Sequence, residues 1–309
     1  MPELPEVQTI VNELIAADLI GVPICDAWVY WPRTIAEPSP KSFCTQIRNR
    51  HFTAIRRRGK FLVFDMSSGG CLLLHLRMSG RLHLVPADTP RMKHEHVVLS
   101  FNDGRHLRFH DTRKFGRIHL VKDPHKILSR LGPEPLDKSF TVKTLAEQLK
   151  RHRRRLKPLL LDQSFIAGLG NIYVDEALWD AGLHPNHIAA ILSPAEIKAL
   201  HRAIARVLNR GLKNLGTSLG TGETNFYSVA RHRGRNKDEL KVFAGRISPV
   251  RAAKHPSQGL SSASAARISV LNAKKFKPAG GRDKSQIPNH KQIQMTKIQN
   301  TKQIADKVK

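Results

Sequence analysis

The chain begins MPELPEV, with a proline directly after the initiator methionine and a glutamate directly after that. Removal of Met1 leaves Pro2 with a free secondary amine, and an amine that titrates near neutral pH attacks an aldehyde carbon. Glu3 and Glu6 place carboxyl groups for proton transfer in the same stretch. These residues also have a structural reading, because Pro5 suits the first turn of a helix and Glu6 complements its dipole. Lys60 follows a glycine in RRRGKFLVF at the entry to a strand, which by itself is an ordinary basic turn. Met78 lies at a strand-to-turn transition in LLLHLRMSGRL, and Arg113 and Phe115 flank Lys114 at a glycine turn in FHDTRKFG. Exposed together, these three would form a wedge whose apolar groups unstack bases while the guanidinium fills the gap. Taken separately, Met78 and Phe115 read as core residues. In GLGNIYVDEALW, the Gly168-x-Gly170-Asn171 turn opens a helix. Such a turn aims backbone amides and the Asn171 side chain at an anion such as a phosphate.

The elements that must position these groups change character along the chain. VQTIVNELIAADL carries the apolar spacing of an amphipathic helix. Residues 20–121 then read as short strands, among them KFLVFDMS, GCLLLHLRM, GRLHLVP, EHVVLSFNDG, RHLRFHD and GRIHLVKD, a density that predicts a β-sandwich or barrel. LGPEPLD at 131–137 is a breaker-rich linker. Helical patterns follow in TVKTLAEQLK, KPLLLDQ, GNIYVDEALWDAG and SPAEIKALHRAIARVLNRGLKNLG. The last has Ser193 as N-cap, Pro194 at the first helical position and Glu196 three residues after the serine. The fold class is therefore α+β, a β region followed by an α region. From about residue 245 the sequence is polar, basic and low in complexity, the composition of a disordered tail.

Charge is the strongest compositional signal. The 309 residues carry 52 Lys and Arg against 25 Asp and Glu, a formal net charge of +27. Residues 251–309 account for +11, which leaves +16 on residues 1–250, where RNRHFTAIRRRGK, RHRRRLK and RHRGRNK hold few balancing acids. Such an excess points to a polyanionic partner, most simply nucleic acid. Cys25, Cys44 and Cys71 are too few and scattered for a disulfide framework and read as small buried apolar residues. No signal peptide and no run of membrane-spanning length is present, so the expectation is a cytoplasmic protein with no membrane partner.

PELPEV, RRGKFL, HLRMSG, DTRKFG and GLGNIYVDEALW stand in the order and spacing of the formamidopyrimidine-DNA glycosylases, which the chain resembles over residues 1–243. The resemblance implies a bifunctional glycosylase and abasic-site lyase acting on 8-oxoguanine and formamidopyrimidines in double-stranded DNA, working as a monomer. It implies a catalytic β-sandwich domain over 1–130, the linker at 131–137, and a helix–two-turn–helix domain over 138–244. Residues 245–309 then form a degenerate finger region and basic tail. Pro2 resembles the nucleophile that attacks C1′ of the damaged nucleotide, and Glu3 its acid/base partner, with Glu6 beside it. Lys60 resembles the phosphate-binding lysine near the lesion. Asn171, with Gly168 and Gly170, resembles the phosphate clamp, and Lys157 falls at a familiar basic position. Met78, Arg113 and Phe115 match the wedge that probes the opposite base. GTSLGTGETNFYSVARHRGR corresponds to the loop covering the flipped base. Thr112 departs from the family pattern, which has proline there.

The resembled family ends in a zinc finger of spacing C-x2-C-x16-C-x2-C, a tetrahedral structural site whose hairpin supplies a DNA-contacting arginine. This chain has no cysteine after Cys71, so neither metal nor other cofactor is expected. Back-translation accounts for the loss. Codons for residues 249–275, read from the third base of each, permit CPRC from PVRAA, VVGQRGTHI from LSSASAARIS and CPECQK from SVLNAKK. The recovered cysteines fall at codons 249, 252, 269 and 272, at family spacing. The reading is a frameshift near residues 244–248. Arg251 and Arg267 are the arginines in that stretch available to replace the lost one. The alternative to an active enzyme is an impaired relic that binds lesions or DNA non-specifically, its basic tail adding salt-sensitive affinity. The nucleotide sequence tests the frameshift: codons incompatible with the four cysteines in the alternate frame would refute it.

Overall fold

The structure, a computed structural model, describes residues 1–220 and 225–243. The degenerate finger, Arg251, Arg267 and the basic tail lie outside the described residues, as does part of the proposed covering loop.

Helix α1 (Leu4–Ala16) begins with a reciprocal cap, as Glu6 Oε2 accepts from the Glu3 amide at 2.8 Å. Its buried positions fall into two sets. Val7, Ile10, Val11 and Leu14 enter the core of the β region, whereas Leu4 enters the core of the helical region. One helix thereby belongs to both.

The β region is a sandwich of two sheets, in accord with the predicted fold class. Its elements are β1 (Ile24–Val29), β2 (Ile35–Glu37), α2 (Pro40–Ile47), β3 (Phe52–Arg58), β4 (Phe61–Met66), β5 (Cys71–His75), β6 (Gly80–Pro86), β7 (Glu95–Phe101), β8 (Arg105–Asp111) and β9 (Arg117–Val121). One sheet runs β1-β7-β8-β6 and the other β2-β9-β5-β4-β3. Among the strands of the described residues, β2 and β9 form the one parallel pair. Phe43, Phe52, Phe64, Phe101 and Phe109 fill the interior. β5 is buried along its whole length because Leu73 and Cys71 on its other face pack against α3 (His125–Leu128). That second burial explains why CLLLH reads as a continuous apolar run rather than an alternation.

Helices α4 (Val142–Lys150), α5 (Leu156–Leu160), α6 (Asn171–Ala181) and α7 (Pro194–Lys213) follow as expected. In α7, Ser193 and Glu196 form the predicted reciprocal cap. Gly182 closes α6 in the left-handed conformation. Leu145, Leu149, Leu159, Tyr173, Leu200, Ile204 and Leu208 build the second core. Buried Glu176 of α6 accepts from the amides of Lys241, Val242 and Phe243 at 2.9–3.0 Å and holds the last described segment against the helices. Phe226 and Val229, late in the sequence, return to pack in the sandwich core.

The cysteines meet expectation only in part. Cys71 is buried in an apolar cluster as expected, and its thiol also donates to Asp65 at 2.9 Å. Cys44 is half-buried and Cys25 is exposed. Strand alternation turns Cys25 outward while its neighbour Ile24 fills the core.

The linker at 131–137 contains no helix or strand, yet it is tightly held. Glu134 accepts from Arg57 at 2.6 and 3.0 Å, from Arg58 at 3.1 Å and from the Gly59 amide at 2.6 Å. Arg58 also donates to the carbonyls of Leu131 and Gly132. The Arg57 hydrogen bonds and charge hold the Glu134 carboxyl below its usual range against the opposing effect of burial. A carboxyl lowered in the folded state contributes stability above its unfolded pKa that disappears as pH falls through the folded value. Glu134→Ala should therefore lower unfolding free energy by roughly 3 kcal/mol near neutral pH. The deficit should shrink on acidification below the ordinary carboxylate range, as measured by urea denaturation across pH.

Candidate active site

The N-termini of α1 and α6 meet, and Glu3 is what joins them. Its Oε2 accepts from the amides of Gly170 at 2.7 Å and Tyr173 at 3.4 Å, and its Oε1 from that of Ile172 at 3.0 Å. The Leu4 amide completes the junction by donating to the Gly168 carbonyl at 3.0 Å. The sequence expectation for this glycine turn needs correction. Its amides do point at an anion, but the anion is the chain's own carboxylate rather than a phosphate. A helix N-terminus stabilises whichever negative group approaches it, and a tethered carboxylate is always at hand. Gly170 makes the approach possible, since a Cβ there would lie 2.4 Å from Glu3 Cδ. Asn171 is exposed on the first turn of α6, outside this set.

Glu6 is equally enclosed. Its Oε1 accepts from the Tyr173 hydroxyl at 2.9 Å and the Thr217 amide at 2.7 Å, while Oε2 holds the Glu3 amide. Asn236 donates to the Thr217 hydroxyl at 3.0 Å and closes the network. Gly216 has φ +82°, and a Cβ there would fall 2.8 Å from Glu6 Cγ, so both conformation and space require glycine. Tyr173, Thr217 and Asn236 were not singled out in the sequence. They lie far from Glu6 along the chain, and no local pattern marks them.

Burial drives the electrostatics. It pushes the Glu3 carboxyl up to about 7, with neighbouring Glu6 adding to the rise and Lys60 and the helix amides opposing it. Near neutral pH Glu3 is therefore divided between acid and base forms. Glu6 is also raised by burial, against the pull of its hydrogen bonds. Lys60, only 4% exposed, is lowered by burial while Glu3 and Glu6 act to raise it. The α-amine of Met1 is lowered by burial in the same field. Pro2 is buried beside it and, with Glu6, Met78, Thr217 and Phe226, lines an open pocket.

Met78 and Phe115 are 41% and 48% exposed, which overturns their reading as core residues. Both sit on turns beyond strand ends, where the pleat no longer dictates an inward direction. The Arg113 guanidinium stands 5.0 Å from the Phe115 ring centre. Lys157 is half-buried in an ion pair with Asp175 of α6 at 2.7 Å, so its charge is engaged within the fold. The Thr112 hydroxyl is buried without a hydrogen bond, an atom that proline would not bring.

Among the described residues no group of three or more His, Cys, Asp or Glu could hold a metal ion. The four-thiolate zinc site of the resembled family does not fit this chain, whose three cysteines lie on β1, α2 and β5. No described helix is long and apolar enough to cross a membrane.

Residues 1–118 match the family model of the formamidopyrimidine-DNA glycosylase N-terminal domain, and residues 131–222 that of the formamidopyrimidine-DNA glycosylase H2TH domain. The chain is 46% identical over 243 residues to the formamidopyrimidine-DNA glycosylase of Protochlamydia amoebophila, covering 79% of this chain and 88% of that one. It is 44% identical over 251 residues to that of a Roseiflexus species, with the same coverage of 79% and 88%. Among solved structures it is similar to Lactococcus lactis Fpg in complex with DNA containing an abasic site. That likeness has a TM-score of 0.70 at 34% identity and covers 77% of this chain and 87% of that one. The wild-type Lactococcus lactis protein bound to DNA containing N7-benzyl-Fapy-dG also has a TM-score of 0.70 at 34% identity, covering 78% and 87%.

Gly170→Ala should expel the Glu3 carboxylate and lower unfolding free energy by about 3 kcal/mol. Combined with Glu3→Ala, the same substitution should add little, because the atoms it strikes are gone. A double-mutant cycle by denaturant unfolding checks this coupling.

Proposed function

The chain belongs to the formamidopyrimidine-DNA glycosylase family, and from that premise we propose that it excises oxidised purines from double-stranded DNA and cleaves the abasic strand. The substrates are 8-oxoguanine and formamidopyrimidines. The observation that carries the reading is the convergence of Pro2, the amide-held Glu3 carboxyl and the buried Lys60 at one terminus.

After removal of Met1, the Pro2 amine attacks C1′ of a nucleotide turned out of the stack. A nitrogen–carbon bond forms and the glycosidic bond breaks, its electron pair leaving with the base, which takes up a proton. Burial favours the neutral amine that this attack requires. Opening of the sugar leaves an iminium that acidifies the adjacent carbon. The strand then breaks by β- and δ-elimination, with Glu3 giving and taking protons at the opened sugar. Glu6, held by three donors, fixes the Glu3 backbone and keeps the terminus in place. Lys60 and Asn171 contact the phosphates around the lesion, one from the turn between β3 and β4 and the other from the first turn of α6. Lys157 reaches a phosphate only in competition with Asp175. Met78, Arg113 and Phe115 enter the gap left by the extruded nucleotide, which offsets the loss of stacking. The enzyme acts on DNA as a cytoplasmic monomer and without zinc.

Borohydride trapping tests this. The purified chain, mixed with a duplex containing 8-oxoguanine opposite cytosine and separately with an abasic duplex, should give a covalent adduct with both, absent after Pro2→Gly. An adduct with the abasic duplex alone would place the defect in lesion capture. No adduct with either, once Met1 removal is confirmed, would refute the proposal in favour of a DNA-binding relic.

A further inference from the structure

The two turns that carry the wedge are both crossovers between the sheets. Residues 76–79 lead from β5 in the five-stranded sheet to β6 in the four-stranded one, and residues 112–116 lead back from β8 to β9. The turns lie side by side because Gly80 pairs with Asp111 and His75 with Arg117. Asp111, the last residue of β8, has no exposed surface. Its Oδ1 accepts from the Ser79 hydroxyl at 2.5 Å and the Arg113 amide at 3.2 Å, and its Oδ2 from the Gly116 amide at 2.8 Å. The Arg113 amide also reaches the Ser79 hydroxyl at 3.2 Å, which closes the set.

The Asp111 backbone draws in a third segment. Its amide donates to the His94 carbonyl at 3.0 Å, and its carbonyl accepts from His96 Nε2 at 2.8 Å and the Lys114 amide at 3.3 Å. Each gathered segment holds a non-glycine residue in the left-handed region: Arg77 at φ 54°, His94 at φ 71° and Lys114 at φ 59°. Such conformations persist only where surrounding contacts over-determine them, and they concentrate at functional sites. Arg77 precedes Met78, and Lys114 separates Arg113 from Phe115, so the unfavourable backbone lies within the wedge turns themselves.

A carboxylate buried among neutral amide and hydroxyl donors gains less than one paired with a cation, and is a poor choice for stability alone. Its side-chain donors all come from the two wedge turns. We infer that Asp111 is the positioning residue of the wedge, locking Met78 from one crossover and Arg113 and Phe115 from the other into a single preorganised array. The inference rests on the proposed function. It assigns Asp111 to lesion capture and to reading of the opposite base, and not to the chemistry at Pro2.

The test uses the full chain and a duplex with 2-aminopurine opposite a tetrahydrofuran abasic analogue, where wedge insertion raises fluorescence by unstacking the reporter. Asp111→Asn, which replaces an accepting oxygen by a donor, should lose most of that rise. It should slow single-turnover excision of 8-oxoguanine opposite cytosine by about tenfold or more, while cleavage at a preformed abasic site changes by less than about threefold. Melting of the free protein establishes that the variant is folded. Should it not fold, Ser79→Ala decides the matter through the fluorescence rise alone, which should fall. An unchanged rise in the folded Asp111→Asn chain, or in Ser79→Ala where that variant decides, would overturn the inference. Equal losses of excision and abasic cleavage would also overturn it, as a role shared with the whole site. If the unsubstituted chain traps no Schiff base, the proposed function fails and takes the inference with it.

Discussion

The structure turns on one carboxylate. Glu3 begins α1, and its oxygens occupy the amide cluster that begins α6, so a single side chain satisfies donors that two helix ends would otherwise leave open. This fixes the position of Pro2, one residue before it. Chain termini normally fray, and under the proposed function the Pro2 nitrogen needs such an anchor before it can be aimed. The same burial that makes the anchor rigid lifts the Glu3 carboxyl to about 7, where it can exchange a proton under neutral conditions. Support and reactivity here have one cause.

Features set by local chemistry were legible in the sequence. The reciprocal cap of Ser193 and Glu196, the helix start at Pro5 and the six strands from β4 to β9 depend on residues a few positions apart. Helix α2, which Ser39 caps and Pro40 opens, interrupts a stretch, residues 20–121, that the sequence presents as short strands. Contacts across long separations were not legible. Nothing near Glu134 announces that it holds the Gly59 amide, and nothing in GLGN announces that its amides are already taken by Glu3. Residue type alone favours the interior for Met78 and Phe115, whereas the wedge reading requires them exposed, and the crossover geometry turns them out.

The helical core closes over the described residues. Leu240 is buried in it, Phe243 packs against it, and Glu176 takes the amides of residues 241–243. The segment where the sequence departs from the family pattern therefore begins just beyond a point at which backbone donors and apolar groups are already satisfied.

Helix α1 carries Leu4 in one core and Val7, Ile10, Val11 and Leu14 in the other. Mechanically it is a dowel driven through two blocks: neither core can shift without loading the helix whose first turn follows Pro2 and Glu3.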